Sequence, residues 1–141
     1  MKNLLSLVFF FVLAASINEA YAQSFQVIVN EANATESLSK QEVSDIFLKE
    51  KTKWADGTDI TPIDLKAQSA TRVAFSVEVH GRSVGAIRSH WQQAAFSGAG
   101  TAPLERSSDA DVIEFVKANP GAVGYISDGT AADGVKVLNV Q

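Results

Sequence analysis

Along this chain, segments with hydrophobic residues at the two-residue spacing of a strand are followed by segments at the spacing of a helix, which predicts strands separated by helices. Residues 25–29 (FQVIV) alternate in part and are rich in β-branched side chains, which predicts a buried first strand. Further strands are predicted near residues 60–65, 122–126 and 135–140. Strands that are separated by helices indicate an α/β fold with a mixed or mainly parallel sheet.

Four helices are predicted from apolar residues at helical spacing, each with a local start signal. The first begins at Ser39, which forms a capping box with Glu42. The second covers about residues 70–79, and the third begins at Ser83. The fourth opens at Ser108 and has acidic residues in its first turn, where the helix dipole favours negative charge.

The composition is typical of one globular domain that can bury a hydrophobic core. Of the 141 residues, 46% are hydrophobic and 20% are charged, and there is no cysteine, so packing alone has to hold the fold together. The formal net charge of −4 argues against nucleic acid or an anionic membrane surface as a partner. The sequence shows no internal repeat and no interdomain linker.

The first 22 residues have the pattern of a secretory signal peptide. Lys2 precedes an apolar run over residues 4–15, and Ala20-Tyr21-Ala22 supplies the small residues of a cleavage site. A membrane anchor is the alternative, but the apolar run is shorter than the roughly 20 residues that a span requires. We therefore expect residues 1–22 to be removed, leaving residues 23–141 as a periplasmic domain without a membrane or lipid anchor.

Two patterns could indicate catalysis or metal binding, and neither has the context that it needs. Residues 81–85 (GRSVG) match the G-x-S-x-G nucleophile elbow, but the elbow follows a strand and here a predicted helix precedes it. His80 and His90 match no metal-ligand spacing, and both are expected at the surface. We therefore expect no enzyme activity, no metal site and no cofactor.

Four blocks of sequence together resemble the phosphate-binding, PstS-like branch of the type 2 periplasmic solute-binding proteins. They are residues 38–54 (LSKQEVSDIFLKEKTKW), 68–72 (QSATR), 96–98 (FSG) and 120–125 (PGAVGY). That branch typically shows an LS…IF.G…W block, an SGT helix start, a W…F.G block and a late GaIGY. The resemblance extends over nearly all of the chain after residue 25.

The resemblance implies one α/β lobe of a type 2 periplasmic-binding protein, with a central mixed sheet flanked by helices. Such receptors normally have two lobes that close on the ligand, and the length here fits one, which resembles the second lobe. Weak binding of phosphate or a related oxyanion is implied, unless a homodimer or another partner completes the cleft. The protein would serve uptake with an ABC permease or sensing. Alternatively, the lobe has lost transport and docks on a membrane sensor domain or another envelope protein.

The candidate ligand-binding residues are Ser69, Ala70, Thr71, Arg72 and Lys66. The first three follow a predicted strand and open a predicted helix, where exposed backbone N–H groups form an anion site. The resemblance aligns Ser69 and Thr71 with the family's Ser-Gly-Thr, while Ala70 replaces the glycine and adds a methyl group. Lys66 supplies a point charge near the position of a family arginine. Alternatively, Ser69 is only a helix cap.

Overall fold

The computed structural model describes residues 24–141, so the predicted signal peptide, residues 1–22, lies outside the described residues. The strands are β1 (Phe25–Val29), β2 (Ser37–Leu38), β3 (Thr61–Leu65), β4 (Leu104–Arg106), β5 (Ala122–Ser127), β6 (Lys136–Val137) and β7 (Asn139–Val140). The α-helices are α1 (Lys40–Phe47), α2 (Ala70–Phe75), α3 (Val84–Phe96) and α4 (Asp109–Ala118). A π-helical segment, Ser76–His80, continues α2.

A five-stranded mixed sheet forms the centre of the lobe, in the order β4-β3-β5-β1-β6. Strand β3 runs parallel to β4 and β5, whereas β1 runs antiparallel to β5 and β6. This arrangement confirms the predicted α/β fold with a mixed sheet. Strands β2 and β7 pair in parallel as a separate small sheet.

The last predicted strand, residues 135–140, divides between the two sheets. Val137 pairs with Ile28 of the large sheet, whereas Asn139 pairs with Ser37 of the small one. Strands β2 and β4 were not predicted, because two or three residues are too few to show an alternating pattern. Their positions depend on pairing with distant parts of the chain.

Helices cover both faces of the large sheet. On one face, an aromatic cluster joins α1 and α2 to the sheet: Phe75 stacks on Tyr125 with ring centroids 3.8 Å apart, and Phe47 meets Phe75 edge-on at 4.9 Å. On the other face, α4 packs against Gly124 of β5 through Val112. Alternate residues of β5 therefore contact opposite helical layers, as the two-residue period of a strand requires.

Serine side chains cap the four α-helices within residues 24–141 at the predicted positions. The Oγ atoms of Ser39, Ser69, Ser83 and Ser108 each accept a hydrogen bond from the backbone N–H three residues later, at 3.0–3.2 Å. Gly81 adopts a left-handed conformation (φ 63°) that ends the π-helical segment just before the Ser83 cap. The G-x-S-x-G match is therefore a helix stop followed by a helix start. Within residues 24–141, no helix is both long and apolar enough to cross a membrane.

The two glycines of the PGAVGY block lie where a side chain has no room. A Cβ added at Gly121 would lie 2.2 Å from the carbonyl oxygen of Asp59. A Cβ added at Gly124 would lie 2.6 Å from Val112 Cγ1 and 2.7 Å from Ile63 Cγ2. Close packing of backbone and helix against the sheet therefore explains both residues.

We expect Gly124→Ala to lower the free energy of unfolding by about 1–3 kcal/mol, since overpacking displaces the neighbouring side chains. Gly129→Ala is the matched control, because its added Cβ would find Ser127 Oγ at 3.9 Å, an ordinary contact. Urea denaturation of both variants measures the difference. Equal stability of the two variants would show that the packing of α4 against β5 leaves room for a methyl group at position 124.

Candidate functional site

Three parallel strands, β3, β4 and β5, end at the same side of the large sheet, here called the carboxyl edge. In open α/β sheets, ligands bind outside the carboxyl ends of the strands. Helices α2 and α4 begin at this edge, capped by Ser69 and Ser108. The candidate residues 66–72 therefore lie where the fold favours a binding site.

The structure brings Ser69, Ala70 and Thr71 together with Lys66 in one tight turn after β3. The Ser69 N–H donates to the Lys66 carbonyl oxygen at 2.9 Å, and Ser69 Oγ accepts from the Arg72 N–H at 3.2 Å. Ala70 and Lys66 are exposed, and Thr71 is partly buried. The N–H groups of Ala70 and Thr71 lie in the first turn of α2, where helix geometry provides no intrahelical acceptor.

Arg72 lies beneath this turn, and the protein's own acceptors bind its guanidinium. Its side chain is 6% exposed. Nη1 donates to the Leu65 carbonyl oxygen at 2.7 Å and to Glu105 Oε2 at 2.6 Å, and Nε lies 3.7 Å from Asp64 Oδ1. The structure therefore places Arg72 near the predicted site, as a buried positive charge rather than an open fork.

Asp64 and Tyr125 extend this cluster into the core. The Tyr125 hydroxyl donates to Asp64 Oδ1 at 2.6 Å and accepts from the Leu65 N–H at 3.3 Å. Burial raises the pKa of Asp64 to about 6, although the charge of Arg72 and the Tyr125 hydrogen bond act in the opposite direction. Burial also raises the pKa of Tyr125 well above its usual range. Sequence reasoning missed the cluster; its one local signal is a carboxylate inside a buried strand.

The loop that follows β5 is fixed at the same carboxyl edge by two side chains. Gln26 Nε2 donates to the carbonyl oxygens of Ser127 and Thr130 at 3.1 and 3.0 Å. Asp109 Oδ2 accepts from the Ser127 N–H at 3.1 Å and from Thr130 Oγ1 at 2.6 Å. These contacts give the edge a well-defined surface around the start of α4.

The expectation that His80 lies at the surface is wrong. His80 is partly buried, and its Nδ1 lies 2.7 Å from the hydroxyl oxygen of the buried Ser44. Burial lowers the pKa of His80 to about 4, which favours the neutral imidazole. Because Ser44 is 6% exposed, this pair has a packing role and offers no accessible nucleophile. Residues 24–141 contain no group of three or more His, Cys, Asp or Glu side chains that could hold a metal ion.

A cleft of about 540 Å³ lies at the opposite end of the sheet from the candidate residues. It lies between the loop after β1, the loop before β3 and the start of β5, and its lining comprises Ala32, Asn33, Ala34, Thr35, Trp54, Ala55, Asp56, Thr58 and Pro120. Trp54 is 6% exposed, and its Nε1 donates to the Gly121 carbonyl oxygen at 3.0 Å. Trp54 therefore belongs mainly to the core.

The model of a family described as a PBP superfamily domain matches residues 19–139. Among solved structures, the chain is similar to an ABC-type phosphate transport receptor from Vibrio cholerae, with 21% identity and a TM-score of 0.66, covering 83% of this chain and 46% of that one. It is also similar to a phosphate ABC transporter substrate-binding protein with bound phosphate from Clostridium perfringens. The identity is 21% and the TM-score 0.66, and the match covers 83% of this chain and 44% of that one. For PstS from Borrelia burgdorferi, the identity is 15% and the TM-score 0.59, and the match covers 84% of this chain and 47% of that one.

These comparisons confirm the predicted fold, one lobe of a type 2 periplasmic-binding protein. At this identity, the likeness to the solved structures concerns the fold alone. The chain spans less than half the length of each of these three proteins. No curated protein matches the chain.

We expect Tyr125→Phe to lower the free energy of unfolding by about 1–3 kcal/mol near pH 8, because buried Asp64 and the Leu65 N–H lose a hydrogen-bond partner. The folded-state pKa of Asp64 already exceeds its ordinary value, so its contribution to stability decreases as the pH rises through about 6. The variant raises that pKa further, since the lost hydrogen bond favoured the ionised carboxylate. The penalty should therefore shrink at pH values below the Asp64 pKa. Urea denaturation of both proteins at pH values above and below about 6 measures the penalty and its pH dependence. A penalty that does not change with pH would contradict the hydrogen bond between Tyr125 and Asp64.

Proposed function

Because the chain belongs to the PBP superfamily, we propose that it is a solute-binding module that binds phosphate or a related oxyanion weakly at the start of α2. The observation that carries the proposal is the position of Ser69, Ala70 and Thr71 at the carboxyl edge of the sheet, in the turn between β3 and α2. Backbone N–H groups and hydroxyls at such a turn favour an anion. Two similar solved structures are a phosphate transport receptor and a phosphate transporter substrate-binding protein with bound phosphate.

In the proposed site, the N–H groups of Ala70 and Thr71 and the Thr71 hydroxyl bind the oxyanion. Lys66 is exposed in the same turn and adds a mobile positive charge. Arg72 adds positive charge from below, at the distance set by its bonds to Leu65 and Glu105. The Ser69 hydroxyl holds the turn in shape, since its oxygen already accepts from the Arg72 N–H.

Two features limit the affinity of this site. The described lobe supplies one wall, so closure over the ligand requires an opposing surface from a homodimer, an ABC permease or another partner. In addition, the buried cluster contains two carboxylates, Asp64 and Glu105, around one guanidinium. Their negative charge opposes an incoming anion.

We further propose that residues 1–22 are a cleaved signal peptide and that the domain, residues 23–141, acts in the periplasm without catalytic activity. An exported binding module of this kind would deliver its solute to an ABC permease or report it to a membrane sensor. The chain has no cysteine, so folding in the periplasm would involve no disulfide.

Helix α3 favours a second candidate function, an interaction module that docks on a membrane sensor or another envelope protein. This helix of 13 residues buries only Ile87 and Trp91, and Phe96 at its end is 97% exposed. Val77 of the neighbouring π-helical segment is 58% exposed. Large apolar side chains that lie together in solvent are typical of surfaces that bind a partner.

Calorimetric titration of the monomer with phosphate and sulfate tests the first candidate. Charge-assisted hydrogen bonds contribute about 1.5–3 kcal/mol each when well formed, and immobilisation and desolvation of the ligand offset part of this. We therefore expect a dissociation constant on the order of 0.1–10 mM, which increases as salt screens the exposed turn.

Ala70→Gly should lower the dissociation constant, because the ligand can then lie closer to the backbone. Micromolar binding by a verified monomer would place the pocket elsewhere, and no binding by either protein would favour the interaction module.

Paired serine variants separate capping from binding. Ser69→Ala and Ser83→Ala each remove one N-cap hydrogen bond, at 3.2 and 3.1 Å, and each should lower stability by about 0.5–2 kcal/mol. Only Ser69→Ala should reduce the phosphate-dependent rise in Tm, because Ser83 caps α3, a different helix. Thermal unfolding with and without phosphate measures both effects. If the phosphate effect is the same in both variants, Ser69 is a structural cap alone.

A further inference from the structure

Arg72 and Glu105 form an ion pair whose two halves differ sharply in exposure. The guanidinium side chain is 6% exposed, whereas the Glu105 side chain is 46% exposed. Arg72 Nη1 lies 2.6 Å from Glu105 Oε2, and the same nitrogen donates to the buried Leu65 carbonyl oxygen. Both hydrogens of this nitrogen are therefore bound, one by an interior acceptor and one by a carboxylate that reaches solvent.

This ion pair lies next to the proposed oxyanion site. The Arg72 backbone N–H is capped by Ser69, so the residue belongs to the first turn of α2. Its side chain then reaches back to Leu65, the residue immediately before Lys66. The guanidinium is therefore bound at the end of β3, beside the turn that would receive the anion, and it is paired with Glu105 of the neighbouring strand β4.

The two carboxylates that share Arg72 are held very differently. Asp64 lies in β3, is 9% exposed and is fixed by the Tyr125 hydroxyl. Glu105 lies in β4, a three-residue strand at the edge of the sheet that pairs with β3 on one side. Burial keeps Asp64 in place, whereas the half-exposed Glu105 side chain can rotate into water, where ion pairs are worth little.

Resting on the proposed function, we propose that Glu105 is a built-in competitor for the oxyanion. Its carboxylate holds the Arg72 donor that a phosphate oxygen bound at the α2 turn would otherwise accept. Displacement of Glu105 would give the ligand a charge-assisted hydrogen bond to Arg72 in addition to the N–H groups of Ala70 and Thr71. Of the two carboxylates that limit affinity at this site, Glu105 is thus the one that a ligand could displace.

The test compares Glu105→Ala and Glu105→Gln with the wild-type domain and with Glu114→Ala. Glu114 is an exposed acid on α4, so its replacement changes the net charge by the same amount as Glu105→Ala without touching Arg72. Calorimetry with phosphate and with sulfate at fixed pH and ionic strength gives the dissociation constants. We expect Glu105→Ala to tighten binding about tenfold, roughly the effect of one added charge-assisted hydrogen bond. Glu114→Ala should change it less than about twofold, since exposed charges are screened.

The outcomes separate this inference from the proposed function. Equal effects of the Glu105 and Glu114 variants, or weaker binding by Glu105→Ala, would overturn the role of Glu105 and leave an oxyanion site at the turn. Absence of binding in the folded wild-type, Glu105→Ala and Ala70→Gly proteins would overturn both proposals. Glu105→Gln retains an acceptor for Arg72 and so guards against misfolding: if Glu105→Ala does not fold, tightening by Glu105→Gln supports the competition and an unchanged dissociation constant overturns it.

Discussion

The buried charge of Arg72 is the constraint around which the carboxyl edge is built. A guanidinium that is almost fully removed from water has to be paired and hydrogen-bonded, since an uncompensated buried charge is strongly destabilising. Its partners come from two strands, with Leu65 and Asp64 in β3 and Glu105 in β4. Arg72 itself belongs to α2, and Tyr125 links the cluster to β5. The Arg72 side chain therefore joins α2 to two strands, and the hydrogen bond between Tyr125 and Asp64 adds the third.

Features that depend on neighbouring residues could be predicted from the sequence, and features that depend on distant ones could not. Ser69 and Ser83 were recognised as caps because a cap needs only its own helix start. His80 was placed wrongly because its partner, Ser44, lies 36 residues away. The burial of Arg72 was missed for the same reason, since Glu105 lies 33 residues from it. Only pairing across the sheet decides whether an arginine beside a predicted anion site faces the ligand or the core.

The resemblance to a receptor family rests partly on residues whose role here is packing. The surroundings of Gly121 and Gly124 leave no room for a side chain, and the Tyr125 hydroxyl is hydrogen-bonded to Asp64 and to the Leu65 N–H. The lobe needs such residues in order to fold, whether or not it binds a solute. They identify the architecture well, and the chemistry has to be judged from the turn at residues 66–70.

Helix α3 is held to the rest of the lobe by far less apolar surface than the sheet core. Its two buried side chains, Ile87 and Trp91, are the main anchors of 13 residues. Segments with few buried contacts open locally at lower free energy than the whole domain. We therefore expect α3 to detach at a lower free energy than unfolding of the sheet core, and each of these two parts contains one tryptophan, Trp91 in the helix and Trp54 in the core. The fluorescence of Trp91 therefore reports detachment of α3, and the fluorescence of Trp54 reports unfolding of the sheet core.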